Sequence, residues 1–562
     1  MIKAVRARGG RLRVRTGTRW VAYCGGGALL AALTALSPAQ AATPTTPEAP
    51  APETSLNWEP CEDLDPVEDE TLECATLTVP MVHRAGSTDP GALAETVEIA
   101  LSRVPATGTA EHTILVNPGG PGSAGRQWAS RTHLRMPEEL REVYDVVAFD
   151  PRGMGASTPD VTCDPDFFAP VRKDTVPADA EEEQALRVDA EAYADACAED
   201  AGPLLDHMRT EDTAHDMDAM RVALGQEQID YLGYSYGSYL GTVYSSLYPD
   251  SVRALVLDSV VDPDSPWYES NLAQSRALDR AAHNFFDWVA RHDDTYGLGT
   301  DGDAVADAYY DLRSALREDP VQDTVGPTEL EGAVIVVAYT GGTWSAVASA
   351  LSAQIRDDDP APLVELHENY GDDADSDPAY GGYLAVQCTD AAWPEDWETW
   401  NADARQVHED APFMGWHNIW YNAPCATWDG ESAPWFQVGD GPDEHPAYDG
   451  DVLLVHATDD GATSVEGAYS LRERLPGSSL VIEDGGITHG VALTGNTCVD
   501  EAVVDYLREG VLPERGTEGP DLTCDARPEP EPRSAQSAPH TPVDRLGPIG
   551  LEYPGESEGT VE

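Results

Sequence analysis

The chain is short of positive charge. It carries 34 Lys and Arg against 101 Asp and Glu, a formal net charge of −67, and its only lysines are Lys3 and Lys173. A field of that sign repels phosphate backbones and anionic lipid, so neither nucleic acid nor a membrane surface is expected as a partner. Two origins for the charge compete: a solvated, salt-tolerant surface, or a field that steers cationic substrates. The sequence also lacks any C-x-x-C spacing and any histidine-rich cluster, which argues against a structural metal site. No metal and no cofactor is expected. Beyond residue 41 there is no run of 18 apolar residues, so no membrane helix is expected there.

The first 41 residues differ from the rest. Seven cations and no acid lie between Met1 and Trp20, an apolar run follows from Val21 to Leu36, and Ala39-Gln40-Ala41 has the small-residue form of a cleavage site. This pattern predicts a secretory signal peptide over 1–41 and an extracellular protein. Adjacent arginines are absent from it, which fits the general export route better than the twin-arginine one. Cys24 sits at the start of the apolar run, away from the cleavage site, so it does not read as a lipid anchor. Removal of the segment takes seven positive charges with it and leaves −67 − 7 = −74.

Nine cysteines less Cys24 leave eight, an even number in an exported chain. Disulfides are the default there. Near-neighbour spacing predicts sequential pairing: Cys61 with Cys74, Cys163 with Cys197, Cys388 with Cys425, Cys498 with Cys524.

Residues 42–57 are rich in Pro, Thr and Ala and read as a disordered lead-in. Residues 525–562, broken by repeated prolines and ending in acids, read as a disordered tail. Between them runs an α/β rhythm. Val97, Ile99 and Leu101 alternate as in a strand with one buried face. Thr113–Val116 and Tyr144–Phe149 are short apolar runs, each ending in a glycine-rich turn. A helix over 213–224, a strand over 229–232, a helix over 236–247 and a strand over 253–257 follow. The pattern lapses over 265–448, where Trp- and Ala-rich helical sequence predicts an inserted lid. It resumes with strands at 452–455 and 479–482 and helices near 465–475 and 499–507. The fold class is therefore α/β, a mostly parallel sheet with helices on both faces, in two core parts (58–264 and 449–524). Sites in such sheets lie at the carboxyl ends of the strands.

The chemistry falls at those ends. Gly233-Tyr-Ser-Tyr-Gly237 is a G-x-S-x-G turn between a strand and a helix, the setting of a nucleophile elbow, and it makes Ser235 the candidate nucleophile. A serine hydroxyl needs a base. His489, past the last core strand, is preferred over its rival His456, which directly follows 452–455. The imidazole needs an orienting carboxylate, and Asp460 is chosen over its neighbour Asp459. The chain order Ser235, Asp460, His489 is that of α/β-hydrolases. Tyr236 N–H, with Gly119 or Gly120 from the turn Asn117–Gly122, is expected to form the oxyanion hole. Asp150-Pro-Arg-Gly153 reads as a scaffold loop.

NPGGPG (117–122), DPRGMGAS (150–157), GYSYGSYLG (233–241), Cys388-Thr-Asp390, Pro424-Cys-Ala-Thr-Trp428 and the Asp460/His489 tail together resemble the secreted tripeptidyl aminopeptidases. These are α/β-hydrolases related to proline iminopeptidase. The resemblance runs from about Trp58 to Cys524. It implies Ser235 as nucleophile, Asp460 as acid and His489 as base. Asn117 stands where proline iminopeptidases carry His, as in the tripeptidyl branch. Asp460-Gly-Ala-Thr-Ser464 replaces the Asp-Pro-x-Thr-Pro of relatives.

The expected activity is release of short peptides, tripeptides above all, from free amino termini through an acyl-enzyme. A carboxylesterase on the same triad is the alternative, and a binding protein with a silent core is the reading from another class. Asp390 is a candidate partner for the substrate amine, set against a local role in capping a helix. Peptide substrates and a monomer are expected.

Overall fold

The computed structural model describes residues 56–533 apart from 65–70, 84–94, 440 and 442–443. The expected signal peptide and lead-in up to Ser55, Cys24 included, and residues 534–562 lie outside the described residues. The strands are β1 (Glu59–Pro60), β2 (Glu73–Pro80), β3 (Thr96–Val104), β4 (His112–Asn117), β5 (Tyr144–Phe149), β6 (Ile229–Tyr234), β7 (Val252–Asp258), β8 (Val452–Ala457), β9 (Ser478–Asp484) and β10 (Leu522–Asp525). They form one sheet in the order β1-β2-β3-β5-β4-β6-β7-β8-β9-β10. Pairings from β1 to β5 are antiparallel, and every pairing from β5 to β10 is parallel.

The apolar runs are continuous because the central strands are covered on both faces. Leu115, Val147, Leu255 and Leu454 pack into the core on one side of the sheet. Their neighbours Ile114, Val116, Val146, Val256 and Leu453 pack into the core on the other. Truncating one such leucine to alanine costs about 2–5 kcal/mol, transfer and cavity together.

β4 lies between β5 and β6, although the chain visits β5 between them. The strand order reverses there, and the crevice left at the carboxyl ends is where open α/β sheets bind ligands. Asn117 at the end of β4 is in register with Gly233 on β6. The glycine-rich turn and the G-x-S-x-G turn are thereby brought side by side.

Among the described residues, 265–448 hold helices and turns and contribute no strand to the sheet. The long helix Trp267–Arg291 opens this cap. Phe285, Phe286, Trp288, Tyr309, Trp344 and Leu351 give it a core of its own. Trp393, Trp397, Trp400, Trp416 and Trp420 stack in a ladder along one side. The four cysteine pairs are joined in the expected sequential order.

Three features differ from expectation. A 22-residue helix, Ala180–Ala201, follows the DPRG loop; its weak apolar periodicity and acidic sequence concealed it, although Asp179 caps it by accepting from Glu181 and Glu182 N–H. β1 and β2 extend the sheet at one edge and β10 at the other. The third is the start of the tail, which is not free. Pro530 O accepts from Trp288 Nε1, Glu531 O from Ser345 Oγ and Arg533 O from Ser349 Oγ, while Glu529 pairs with Arg291. Residues 529–533 thus strap the end of the core onto the cap, because prolines that cannot continue a helix can still lie extended and present carbonyls.

Candidate active site

Ser235 stands between the end of β6 and the helix Tyr236–Leu247, with φ 57° and ψ −125°. A non-glycine residue in that region is strained, and strain of this kind persists only where its surroundings over-determine it. Here they do. Ser235 N–H donates to Asp258 O at 2.9 Å, and Ser235 O accepts from Ser238 Oγ at 2.6 Å. The flanking glycines are required by close approach. A Cβ on Gly233 would lie 2.3 Å from Gly237 O, and one on Gly237 would lie 2.7 Å from Asn117 O.

His489 lies on the loop after β9, 5% exposed. Its Nδ1 meets Asp460 Oδ1 at 2.9 Å and Oδ2 at 2.8 Å. Asp460 follows β8, and its loop turns its own donors on the carboxylate. Ala462 N–H and Thr463 N–H reach Oδ1, and Thr463 Oγ1 donates to Oδ2 at 3.0 Å. Burial alone would raise this carboxyl; the charge and hydrogen bond of His489 and the Thr463 amide hold it well below the usual carboxylate range. Because Asp460 engages His489 Nδ1, Nε2 is the ring nitrogen left to exchange a proton with a nucleophile.

The alternatives are placed elsewhere. His456 is fully buried; its Nδ1 accepts from Val260 N–H at 2.9 Å, so Nε2 carries the proton and donates to Thr463 O at 3.1 Å. Burial also lowers its pKa. His456 is a strut between two loops. Asp459 stands next to Asp460, and its N–H donates to Gly486 O at 2.8 Å; burial raises its pKa, partly offset by the charge of Arg280.

The turn after β4 presses on the elbow. A Cβ on Gly119 would fall 2.5 Å from Tyr234 O and 2.8 Å from Ser235 Cβ. Gly119 N–H is engaged within the turn, donating to Asn117 Oδ1 at 2.9 Å. Gly120 follows it in the turn, and Tyr236 supplies the first amide of the helix behind Ser235.

Asp390, considered for the substrate amine, is 5% exposed and already supplied with donors. Thr210 N–H reaches Oδ1 at 2.7 Å, and Thr210 Oγ1 and Trp267 Nε1 reach Oδ2. Thr210 Oγ1 also bonds Tyr236 Oη at 2.8 Å. Asp390 therefore caps the helix Thr210–Ala223 from the cap side and braces the residue after Ser235. Burial pushes it up to about 7.

The DPRG loop is a scaffold by its contacts. Asp150 accepts from Gly125 and Arg126 N–H, and the fully buried Arg152 forms two bonds to Asp216, each 2.7 Å. Two contributors escaped the sequence. Thr463 closes the acid loop, and its only signal is the Thr of Asp460-Gly-Ala-Thr-Ser464. Tyr339, from the cap, accepts His489 N–H on its carbonyl and sets its ring edge-on to the imidazole, 5.5 Å between centroids. A backbone acceptor leaves no trace in residue type. Among the described residues no group of three or more His, Cys, Asp or Glu is arranged to hold a metal ion, and no helix is long and apolar enough to cross a membrane.

Comparison with known proteins bears on the fold and the family. A family model for the alpha/beta hydrolase fold matches residues 112–301, and one described as TAP-like protein matches residues 411–519. A tripeptidyl aminopeptidase of Streptomyces coelicolor is 37% identical over 488 residues, covering 85% of this chain and 87% of that protein. Serine protease Hip1 of Mycobacterium tuberculosis is 29% identical, with 82% and 90% covered. A protein named carboxylesterase B, from the same species, is 33% identical, with 83% and 90% covered. By fold, motif order and full-length similarity, the chain belongs to the tripeptidyl aminopeptidase family of α/β-hydrolases.

Proposed function

We propose that the chain is an extracellular serine exopeptidase, exported by the signal peptide over 1–41, that removes tripeptides from the free amino termini of peptides. The reading is supported by the Asp460–His489 pair and by the strained Ser235, tied together through Asp258, which accepts Ser235 N–H on its carbonyl and the amides of Val491 and Ala492 on its carboxylate. Membership of the family, with relatives named tripeptidyl aminopeptidase, sets the substrate class.

Ser235 Oγ attacks the carbonyl carbon of the third residue. The Oγ–C bond forms as the carbonyl electrons move to oxygen, and the hydroxyl proton passes to His489 Nε2. Tyr236 N–H and Gly120 N–H meet the oxyanion; an aligned donor of this kind is worth about 10²–10³ in turnover. Collapse breaks the C–N bond, and the shortened peptide leaves with the proton held by His489. Water repeats the sequence and frees the tripeptide and Ser235. Asp460 keeps the imidazole in its working tautomer and balances its charge.

The test is a substrate panel with Ser235→Ala as the blank: a free-amine tripeptide anilide, its amino-acetylated form, a single-residue anilide and a short acyl ester. Hydrolysis of the free-amine tripeptide, lost on acetylation, is the expected result. Turnover of the ester alone would keep the triad and assign an esterase.

A further inference from the structure

The loop that carries His489 is held from a strand that neither the motifs nor the triad includes. Asp258 ends β7 and is fully buried. Its Oδ2 accepts from Val491 N–H and from Ala492 N–H, both at 2.6 Å. The next residue, Ser259, accepts Gly490 N–H on Oγ at 2.7 Å and turns the same hydroxyl toward Asp258 Oδ1 at 3.3 Å. Three consecutive amides directly after His489 therefore close on two adjacent side chains. Successive N–H groups beside a left-handed glycine form a concave anion site, and Gly490 has φ 80°. Here the anion is built into the protein.

Two features argue for more than loop anchoring. Ser259 has φ 52°, a conformation that disfavours a side chain, so the fold tolerates strain in order to aim this hydroxyl. The same short segment also holds the rest of the site. Asp258 O accepts Ser235 N–H at 2.9 Å, Ser259 N–H donates to Val455 O at 3.0 Å, and Val260 N–H donates to His456 on β8, the strand that leads into the acid loop. The elbow, the acid loop and the base loop thus share one reference point.

We infer that Asp258 and Ser259 are positioning residues that fix His489 relative to Ser235 by clamping the amides of residues 490–492. The inference rests on His489 being the base. It predicts that loosening the clamp lowers the rate of acylation and leaves substrate binding intact.

Ser259→Gly is the decisive variant, because it removes the acceptor of Gly490 N–H while relieving the left-handed strain. Its melting temperature should stay within a few degrees of the wild type, because relief of the left-handed strain offsets the lost acceptor. Its kcat should fall about 10-fold with KM within about twofold, as for a small misplacement of a catalytic group. Labelling of Ser235 by a fluorophosphonate should slow in parallel. Asp258→Asn, which replaces an acceptor of two amides by an amide side chain, should lose more. Should Asp258→Asn not fold, Ser259→Gly still decides. Wild-type kcat and labelling rate in folded Ser259→Gly would overturn the inference. Ser235→Ala and His489→Ala are run beside it. Full activity in either removes the reading of the site itself, whereas inactivity in both with an unimpaired Ser259→Gly removes only the clamp.

Discussion

The amide of His489 donates to the carbonyl of Tyr339 at 2.8 Å, so a residue of the cap holds the backbone of the candidate base. The acid loop meets the same cap segment: a Cβ on Gly461 would fall 2.4 Å from Ala338 O and 2.9 Å from Ala281 Cβ. The cap is therefore part of the wall that shapes the Asp460–His489 pair. Gly461→Ala should displace Ala338 and Tyr339 and with them the His489 loop. Overpacking of this kind costs about 1–3 kcal/mol. The expected outcome is a lower melting temperature and a fall in kcat larger than the change in KM, read from steady-state kinetics on a free-amine tripeptide anilide. An unchanged kcat would mean that the cap can yield without moving the site.

The two adjacent acids after β8 separate cleanly by substitution. Asp460→Asn keeps the shape but presents the wrong partner to Nδ1, and kcat should fall about 10⁴-fold. Asp459→Asn should stay within about twofold, since it is Asp460 that meets His489 Nδ1 and changes at exposed side chains are mild. Thr463→Val removes one donor to Asp460 Oδ2 at nearly constant volume and should cost about 10-fold, equivalent to a hydrogen bond to a charged group. Equal losses for Asp459→Asn and Asp460→Asn would contradict the geometry.

What the sequence made legible follows from range. Ser235 could be read because a strand, two glycines and a helix lie within about a dozen residues of chain, and close backbone approach demands glycine at 233 and 237. The strands β4 to β9 could be read because burial on both faces makes each an unbroken apolar run. Asp258 and Ser259 could not, because their role depends on β7 lying beside β8 and under a loop some 230 residues later. Tyr339 could not, because it acts through its carbonyl. The strap at 529–533 was hidden by composition: proline and glutamate suggest solvent, and only the cap's Trp288, Ser345 and Ser349 reveal the docking.

Asp390 yields a prediction in pH. Burial raises its carboxyl to about 7 in the folded chain, against 3.8 for the free group. The folded state then binds more protons than the unfolded one between those values, so this residue makes stability fall as pH rises from about 4 to about 7. Asp390→Asn removes that slope. The variant should gain on the wild type as pH rises, by at most ~4 kcal/mol across the window at 1.36 kcal/mol per unit. Melting temperatures at pH 4.5, 6 and 8 check it; a constant gap between the two proteins would refute the assignment. KM for the free-amine tripeptide should stay within about twofold, because the carboxylate is already occupied by Thr210 and Trp267. A selective rise in KM for free-amine over acetylated substrate would restore Asp390 as the amine receptor.

The strap predicts a coupling between the carboxyl-terminal segment and the cap. Glu529, Pro530, Glu531 and Arg533 together meet Arg291, Trp288, Ser345, Ser349 and Tyr296, on the cap helices Trp267–Arg291 and Trp344–Asp357 and the short helix Asp293–Tyr296. Pro530 also lies 3.4 Å from where a Cβ on Gly341 would sit, beside Ile487 of the base loop. A chain ending at Ala526 loses all of these bonds, whereas one ending at Arg533 keeps them. At about 1 kcal/mol for each backbone acceptor, and less for the exposed Arg291–Glu529 pair, the shorter chain should be several kcal/mol less stable. Since the strap packs beside Gly341, which Ile487 of the base loop also neighbours, the loss should appear in kcat as well as in the melting temperature. A shorter chain that melts earlier but turns over at the full rate would reduce the strap to a stabilising clasp. Ser345→Ala and Ser349→Ala in the longer chain should reproduce part of the destabilisation, which assigns it to docking on the cap rather than to the length of the chain.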